Sequence, residues 1–295
     1  MTRVLPDCSF RFDWRQWALA AGFITVLLPW PRSTVAQLGS AATVSDQECT
    51  TGVAGGYPCR DVDLLSFVPR ENLGAGSLND VWGWTDPDTN REYALVGLSS
   101  GTAFLDVTDP VSPTFLGSLP TQTDSSPWRD VKVYRNHAVV VSEATGHGMQ
   151  IFDLTQLRSV TVKPVTFSPT ALYTGLGSAH NVFVNEATGY AYAVGSRGGN
   201  RSCGVGLHIV DLQMPEAPAY AGCFNHAGTG LRNRAYTHDV QCVVYEGPDS
   251  DYAGREICFG SNETAVSIAD VTDKSAPVAI STATYAIAQA GNTYV

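Results

Sequence analysis

The stretch HNVFVN (180–185), continued by GYAYAVGSRGGNRSCGVGLHIVDLQMPEAPAYAGCF (189–224), decides how this chain folds. It carries short apolar runs separated by turn residues. Val182 to Val184 is one run and Tyr190 to Val194 the next. The third, Leu207 to Val210, ends on Asp211, and after a Pro-containing turn a fourth closes on Phe224. Runs this short, bounded by Gly, Pro, Asn and Asp, read as strands. The same order recurs in other segments. NDVWGW (79–84) leads EYALVGLSSGTAFLDVTDPVSPTFLGSL (92–119), and RDVKVY (129–134) leads HAVVVSEATGHGMQIFDL (137–154). HDVQCVVY (238–245) leads REICFGSNETAVSIADVTDKSAPVAIS (255–281). In every copy the third strand ends on Asp followed by Val or Leu, at Asp106, Asp153, Asp211 and Asp270. The fourth strand is clearest in the first, third and fourth copies.

A unit of four short strands recurring every roughly fifty residues is the pattern of a propeller blade. The expected fold is therefore all-β: a β-propeller of four-stranded antiparallel blades near 79–119, 129–170, 180–224 and 238–281. A solenoid is the rival, but its repeats are usually shorter and lack the four-strand unit. The domain spans 61–295, after a cysteine-containing segment at 37–60.

The cysteines sharpen the hairpins. A hairpin centred near Ser250 sets Cys242 opposite Cys258, and one centred near Met214 sets Cys203 nearly opposite Cys223. Facing strand positions fall within reach of a disulfide. Cys49 and Cys59 remain to close a short N-terminal loop. No C-x-x-C pair is present, which disfavours zinc and thioredoxin-like chemistry.

Residues 1–36 read as a secretory signal. Arg3, Arg11 and Arg15 precede the apolar run Trp17 to Trp30, and Thr34-Val35-Ala36 offers a cleavage site. The alternative is an uncleaved signal anchor. The apolar run is shorter than a spanning helix needs, so no membrane span is expected after signal removal. An even set of six cysteines outside the signal agrees with a secreted or cell-surface location. The formal net charge of -10 argues against nucleic acid, whose phosphates such a surface would repel. An extracellular protein or a saccharide fits better as partner.

The motifs taken together resemble the choice-of-anchor B family, whose blades carry an LVIVD-type repeat. That repeat reads Leu207-His208-Ile209-Val210-Asp211 here, with AFLDV and QIFDL as looser copies. The resemblance extends over CTTGVAGGYPCRDVDLLSFVPRENL (49–73), DVWGWTDPDTNREYALVG (80–97) and GREICFGSNETAVSIADVTDKSAP (254–277). It implies secretion or surface display with varied anchoring ends, and no assigned activity. VDLLSFV (62–68) resembles a fourth strand, so 61–69 is expected to complete the last blade of the ring. In the family the tail after Ser281 leads into another inner strand. The ring is therefore expected to be incomplete at its C-terminal end, as a fragment or truncated gene product, and its edges open to aggregation or dimerisation.

In a propeller the start of strand one lies nearest the central channel, on the same face as the loop joining strands two and three. This places Asn79, Asp80, Arg129, Asp130, His180, Asn181, His238 and Asp239 together, with Ser142, Glu143, His147, Arg197, Asn262 and Glu263 above them. Asp80, Asp130, His180, His238 and Asp239 are the candidate metal ligands. Their carboxylates suit Ca²⁺ or another divalent cation, and the imidazoles a transition metal. The competing reading makes the repeated Asp and Asn turn caps bonded to backbone. Trp82, Trp84 and Trp128 suit either a sugar platform or core packing. Asn200 and Asn262 begin N-glycosylation sequons. His208 within the third strand reads as packed or exposed. No G-x-S-x-G elbow or H-E-x-x-H motif is present. The leading expectation is a non-catalytic binding or scaffold module outside the cell. The alternative is a metal-dependent hydrolase with a cation in the channel.

Overall fold

The computed structural model describes residues 45–284 and is all-β apart from short 3₁₀ turns. The expected signal segment 1–36, with Cys8, and the tail 285–295 lie outside the described residues. Among the described residues no helix is long and apolar enough to cross a membrane. Four short strands come first: β1 (Ser45–Gln47), β2 (Val53–Ala54), β3 (Tyr57–Pro58) and β4 (Leu64–Ser66). β2 and β3 form a hairpin, flanked by the Cys49–Cys59 disulfide.

The repeat builds four larger sheets. Sheet I holds β5 (Leu78–Thr85), β6 (Glu92–Leu98), β7 (Gly101–Asp106) and β8 (Thr114–Pro120). Sheet II holds β9 (Arg129–Tyr134), β10 (His137–Ser142) and β11 (Met149–Asp153). β12 (Val165–Thr166) then leaves sheet II and pairs parallel with β8 of sheet I, before β13 (Ala171–Tyr173) completes sheet II. The fourth strand of the second unit therefore lies just past the expected boundary at 170. Sheet III holds β14 (Asn181–Asn185), β15 (Tyr190–Val194), β16 (Leu207–Asp211) and β17 (Ala219–Phe224). Sheet IV holds β18 (Asp239–Val244), β19 (Glu256–Ser261), β20 (Val266–Asp270) and β21 (Val278–Ala283). Within each unit every strand pairs antiparallel with the next. The strand expected to complete the last blade is β4, which pairs with β1 and joins none of the four larger sheets.

Alternation within β10 shows how the sheets stack. Val139 and Val141 join Val182, Val184 and Ala191 of sheet III in one core. Ala138 and Val140 point the other way, to Leu95, Phe104 and Leu119 of sheet I. A strand covered on both faces needs apolar residues at every position, hence the unbroken HAVVV. Burying each Val or Phe there stabilises the fold by about 1.5–3 kcal/mol. Phe104 stacks on Phe152 at 4.8 Å between centroids and closes the sheet I–II core with the edge of Phe167. Tyr192, Ile209 and Phe224 meet Val240, Cys242 and Cys258 between sheets III and IV.

The Asp residues that end the third strands, the Asp anchors of the repeat, make turns. Asp106, Asp153, Asp211 and Asp270 each accept the N–H two residues on, from Thr108, Thr155, Gln213 and Thr272. This side-chain bond substitutes for a backbone turn and ends the strand. Arg91 also pairs with Asp106, and Arg255 with Asp270.

All three expected disulfides form. Cys242 and Cys258 are direct partners across β18 and β19. The geometry behind Cys203–Cys223 differs from the sequence expectation. The residue opposite Cys223 is His208, and Cys203 lies in the loop before β16. The pairing next to the turn is centred at 215, and a bulge between Ile209 and Val210 adds one residue more, so Cys203 falls before β16 begins and reaches Cys223 from the loop.

Polar ties bind neighbouring sheets. Buried Asp86 of sheet I takes a two-pronged bond from Arg158, at 2.7 and 2.6 Å. Glu256 of sheet IV accepts from Asn185, Thr188 and Tyr192 of the sheet III unit through Oε1, while Oε2 meets Lys274 at 2.8 Å.

Candidate functional site

The first strands β5, β9, β14 and β18 lie side by side in chain order, and their leading ends meet at a cleft. A cavity of about 500 Å³ is lined there by Asn79, Trp128, Glu143, His180, Tyr236 and His238, with Arg129 and Asn181 at its wall. A smaller cavity of about 220 Å³ adjoins it along the strands and carries Asp80, Asp130, Lys132 and Asp239. Asn79, Arg129 and Asn181 line both.

The structure divides the five candidate metal ligands between these two spaces. His180 and His238 face the larger one and Asp80, Asp130 and Asp239 the smaller. Among the described residues no group of three or more His, Cys, Asp or Glu is placed to hold one metal ion.

The carboxylates have backbone partners, across sheets for Asp80 and Asp130 and in the next residue for Asp130 and Asp239. Asp80 accepts from the Val131 N–H at 2.9 Å, and Asp130 from the Val182 N–H at 2.7 Å. Asn79 likewise accepts from the Arg129 N–H, and Asn181 donates to the His238 carbonyl at 3.3 Å. Each inner strand thus reaches the next through the same repeat position. Asp239 accepts from its own Val240 N–H. Lys132 places its ammonium on Asp130 and 3.9 Å from Asp80. Burial, reinforced by the Asp80 contact, pushes the Asp130 carboxyl up to about 6, against the pull of Lys132. A cation already occupies the position between these carboxylates, which makes them poor hosts for Ca²⁺.

The imidazoles are arranged differently. Glu143 accepts from Nδ1 of His180 at 2.5 Å, and Nε2 of His180 lies 2.9 Å from Nε2 of His238. A carboxylate on Nδ1 fixes the hydrogen there and leaves Nε2 bare toward the second ring. Burial first, and then the proximity of a second imidazole, lower the pKa of His238 against the opposing pull of Asp239, Glu263 and Glu143. Trp128 is half exposed at the cavity edge, 6.2 Å from the His180 ring, and Tyr236 flanks His238 at 6.4 Å. The other tryptophans divide: Trp84 is buried against Tyr93, whereas Trp82 lies partly exposed under the Lys132 ammonium.

Several expected ligand-face residues act elsewhere. The Arg129 guanidinium is buried between sheets I and II, bonded to the Leu98 carbonyl, His147 Nε2 and Thr121. Burial lowers it to about 10. His147, fully buried, bonds the Gly148 carbonyl through Nδ1 and offers Nε2 to Arg129; burial pushes it down to about 4. Ser142 is buried and bonded to the Trp128 carbonyl. Arg197 is exposed and lines neither cavity. Glu263 caps the Leu231 N–H at 2.8 Å, outside both. Asn262 is a correction on two counts: it is 1 % exposed and its amide donates to Thr229, so it is neither a cleft residue nor an open sequon. Asn200 is exposed. His208 is packed, with Nε2 2.8 Å from the Tyr173 hydroxyl and its pKa pushed down to about 4 by burial. Tyr236 and Lys132 escaped the sequence reading. Tyr236 stands two residues before His238, in the loop that leads into the strand, and that position was the available signal.

No protein-family model and no curated protein matches the chain. Among solved structures, a functionally unknown protein from Desulfotomaculum acetoxidans is similar at 12% identity and a TM-score of 0.43, with 69% of this chain covered. The match spans 56% of that protein's own length.

Proposed function

We propose that the chain is a secreted or cell-surface binding module of the choice-of-anchor B type, its sheets being consecutive blades of a β-propeller. The observation that carries the binding role is the cleft where the four first strands meet. Its volume falls within the range of ligand pockets, and a few convergent polar groups stand beside aromatic rings. Three disulfides in the described residues support an oxidising compartment. Stacked sheets whose first strands lie side by side support the blade arrangement.

Trp128 and Tyr236 offer apolar faces, while Asn79, Asn181 and Glu143 offer donors and acceptors. That mixture suits a polyhydroxylated ligand, and a saccharide unit is the class proposed. The test is a tryptophan-fluorescence and saturation-transfer NMR titration with mono- and oligosaccharides. The expected result is saturable binding by at least one saccharide, weakened at least tenfold in Trp128→Ala. No binding across the panel, or binding unchanged in Trp128→Ala, would overturn the proposal.

A further inference from the structure

We propose that His180 and His238 form a two-imidazole site for a borderline transition-metal dication, with Glu143 as the group that orients His180. The spacing is that of a hydrogen bond between the rings, and it also fits a shared ion that would replace the bridging proton. Two nitrogens each about 2.0–2.1 Å from one metal, at angles near 90–110°, lie roughly 2.9–3.4 Å apart. The two Nε2 atoms are 2.9 Å apart. They come from different sheets, His180 leading into β14 and His238 into β18, so the fold and not a local turn sets the distance.

The second observation is the Glu143 carboxylate on His180 Nδ1. A carboxylate behind a ligating histidine fixes the ring and raises its basicity, and it is the usual companion of a metal-bound imidazole. The third is room. The pair opens on the larger cavity, where water or a ligand can fill the remaining coordination positions. Imidazole donors select zinc, nickel, cobalt or copper over calcium. In the smaller cavity Lys132 already sits on Asp130 and near Asp80, which leaves Asp239 as the remaining carboxylate. The inference is independent of the saccharide reading, because an ion held here needs no sugar in the cleft.

The test uses the tag-free chain carrying its disulfides. Zinc titration by calorimetry is expected to give one ion per chain. His180→Ala and His238→Ala are each expected to weaken zinc binding at least tenfold. Glu143→Gln should weaken it by about 10- to 100-fold, and Asp80→Asn should leave it unchanged. Copper(II) loaded on the wild-type chain should show nitrogen couplings from two imidazoles in electron paramagnetic resonance, a readout that survives if an alanine variant misfolds. No stoichiometric zinc, coupling from fewer than two imidazoles, or an affinity lost in Asp80→Asn but kept in His238→Ala would overturn the proposal.

Discussion

Lowering the pH from 7 to 5 should destabilise the fold through His147 and His208. Both are fully buried, and burial pushes each from an ordinary value near 6.5 down to about 4. Between those two values the unfolded chain binds the proton and the folded chain does not, so stability falls as pH falls. Over this interval each ring costs about 2 kcal/mol, roughly 4 kcal/mol together. Asp130 works the other way. Its carboxyl is held up at about 6, so the folded chain takes up a proton first and regains about 1 kcal/mol between pH 7 and 5. These three groups together give a loss of roughly 2–3 kcal/mol, and the lowered pKa of His238 acts in the same direction. Urea unfolding at the two pH values measures it, with disulfides intact. His208→Gln keeps a polar group near the Tyr173 hydroxyl and removes one titration, so its pH slope should be about 2 kcal/mol shallower. Equal stability at both pH values, or a His208→Gln slope as steep as wild type, would refute the assignment of these rings as buried and neutral.

Other outcomes test the packing and the surface. Glu256→Ala should cost about 3–5 kcal/mol in urea unfolding, because it leaves the Lys274 ammonium without its buried partner. Gly222→Ala should destabilise by about 1–3 kcal/mol, since a Cβ there would stand 1.6 Å from the Lys274 carbonyl oxygen. Gly83→Ala, with nothing within 4 Å of the added carbon, is the matched control and should stay near wild type. Secretion from a glycosylating host should modify Asn200 and leave Asn262 unmodified, read by mass spectrometry of tryptic peptides; the folded chain buries the Asn262 amide against Thr229.

Strand order and most strand boundaries were legible because they rest on local signals. RDVKVY coincides with β9, and each Asp anchor announces its turn within two residues. The Cys242–Cys258 pair was legible as symmetry about the 245–255 connection. What escaped depends on contacts between units. Asp80 and Asp130 were read as ligands or local caps; Asp130 does bond its neighbouring Val131 N–H, but both also reach about fifty residues on to the next inner strand. No spacing rule within one repeat reveals that. Arg129 and His147 share the cleft's sequence positions yet turn into the seam between sheets I and II, where the Leu98 carbonyl and Thr121 await them. Cys203 was misplaced because it lies in the loop four residues before β16 begins; the bulge, which leaves no mark in the hydrophobic pattern, accounts for one residue of the difference. The same holds for β12, whose pairing with β8 requires Gly117, where a Cβ would lie 2.1 Å from the Val165 oxygen.

The most direct test of the proposed binding role compares residues inside the cleft with expected face residues that the fold places outside it. The measurement is the binding isotherm of the best saccharide from the panel, taken by calorimetry on the wild type, Trp128→Ala, Asn181→Ala, Arg197→Ala and Glu263→Ala. The expected result is at least tenfold weaker binding in Trp128→Ala and Asn181→Ala, with Arg197→Ala and Glu263→Ala within twofold of wild type. Losses confined to Arg197→Ala and Glu263→Ala, or no saccharide bound by the wild type, would contradict it.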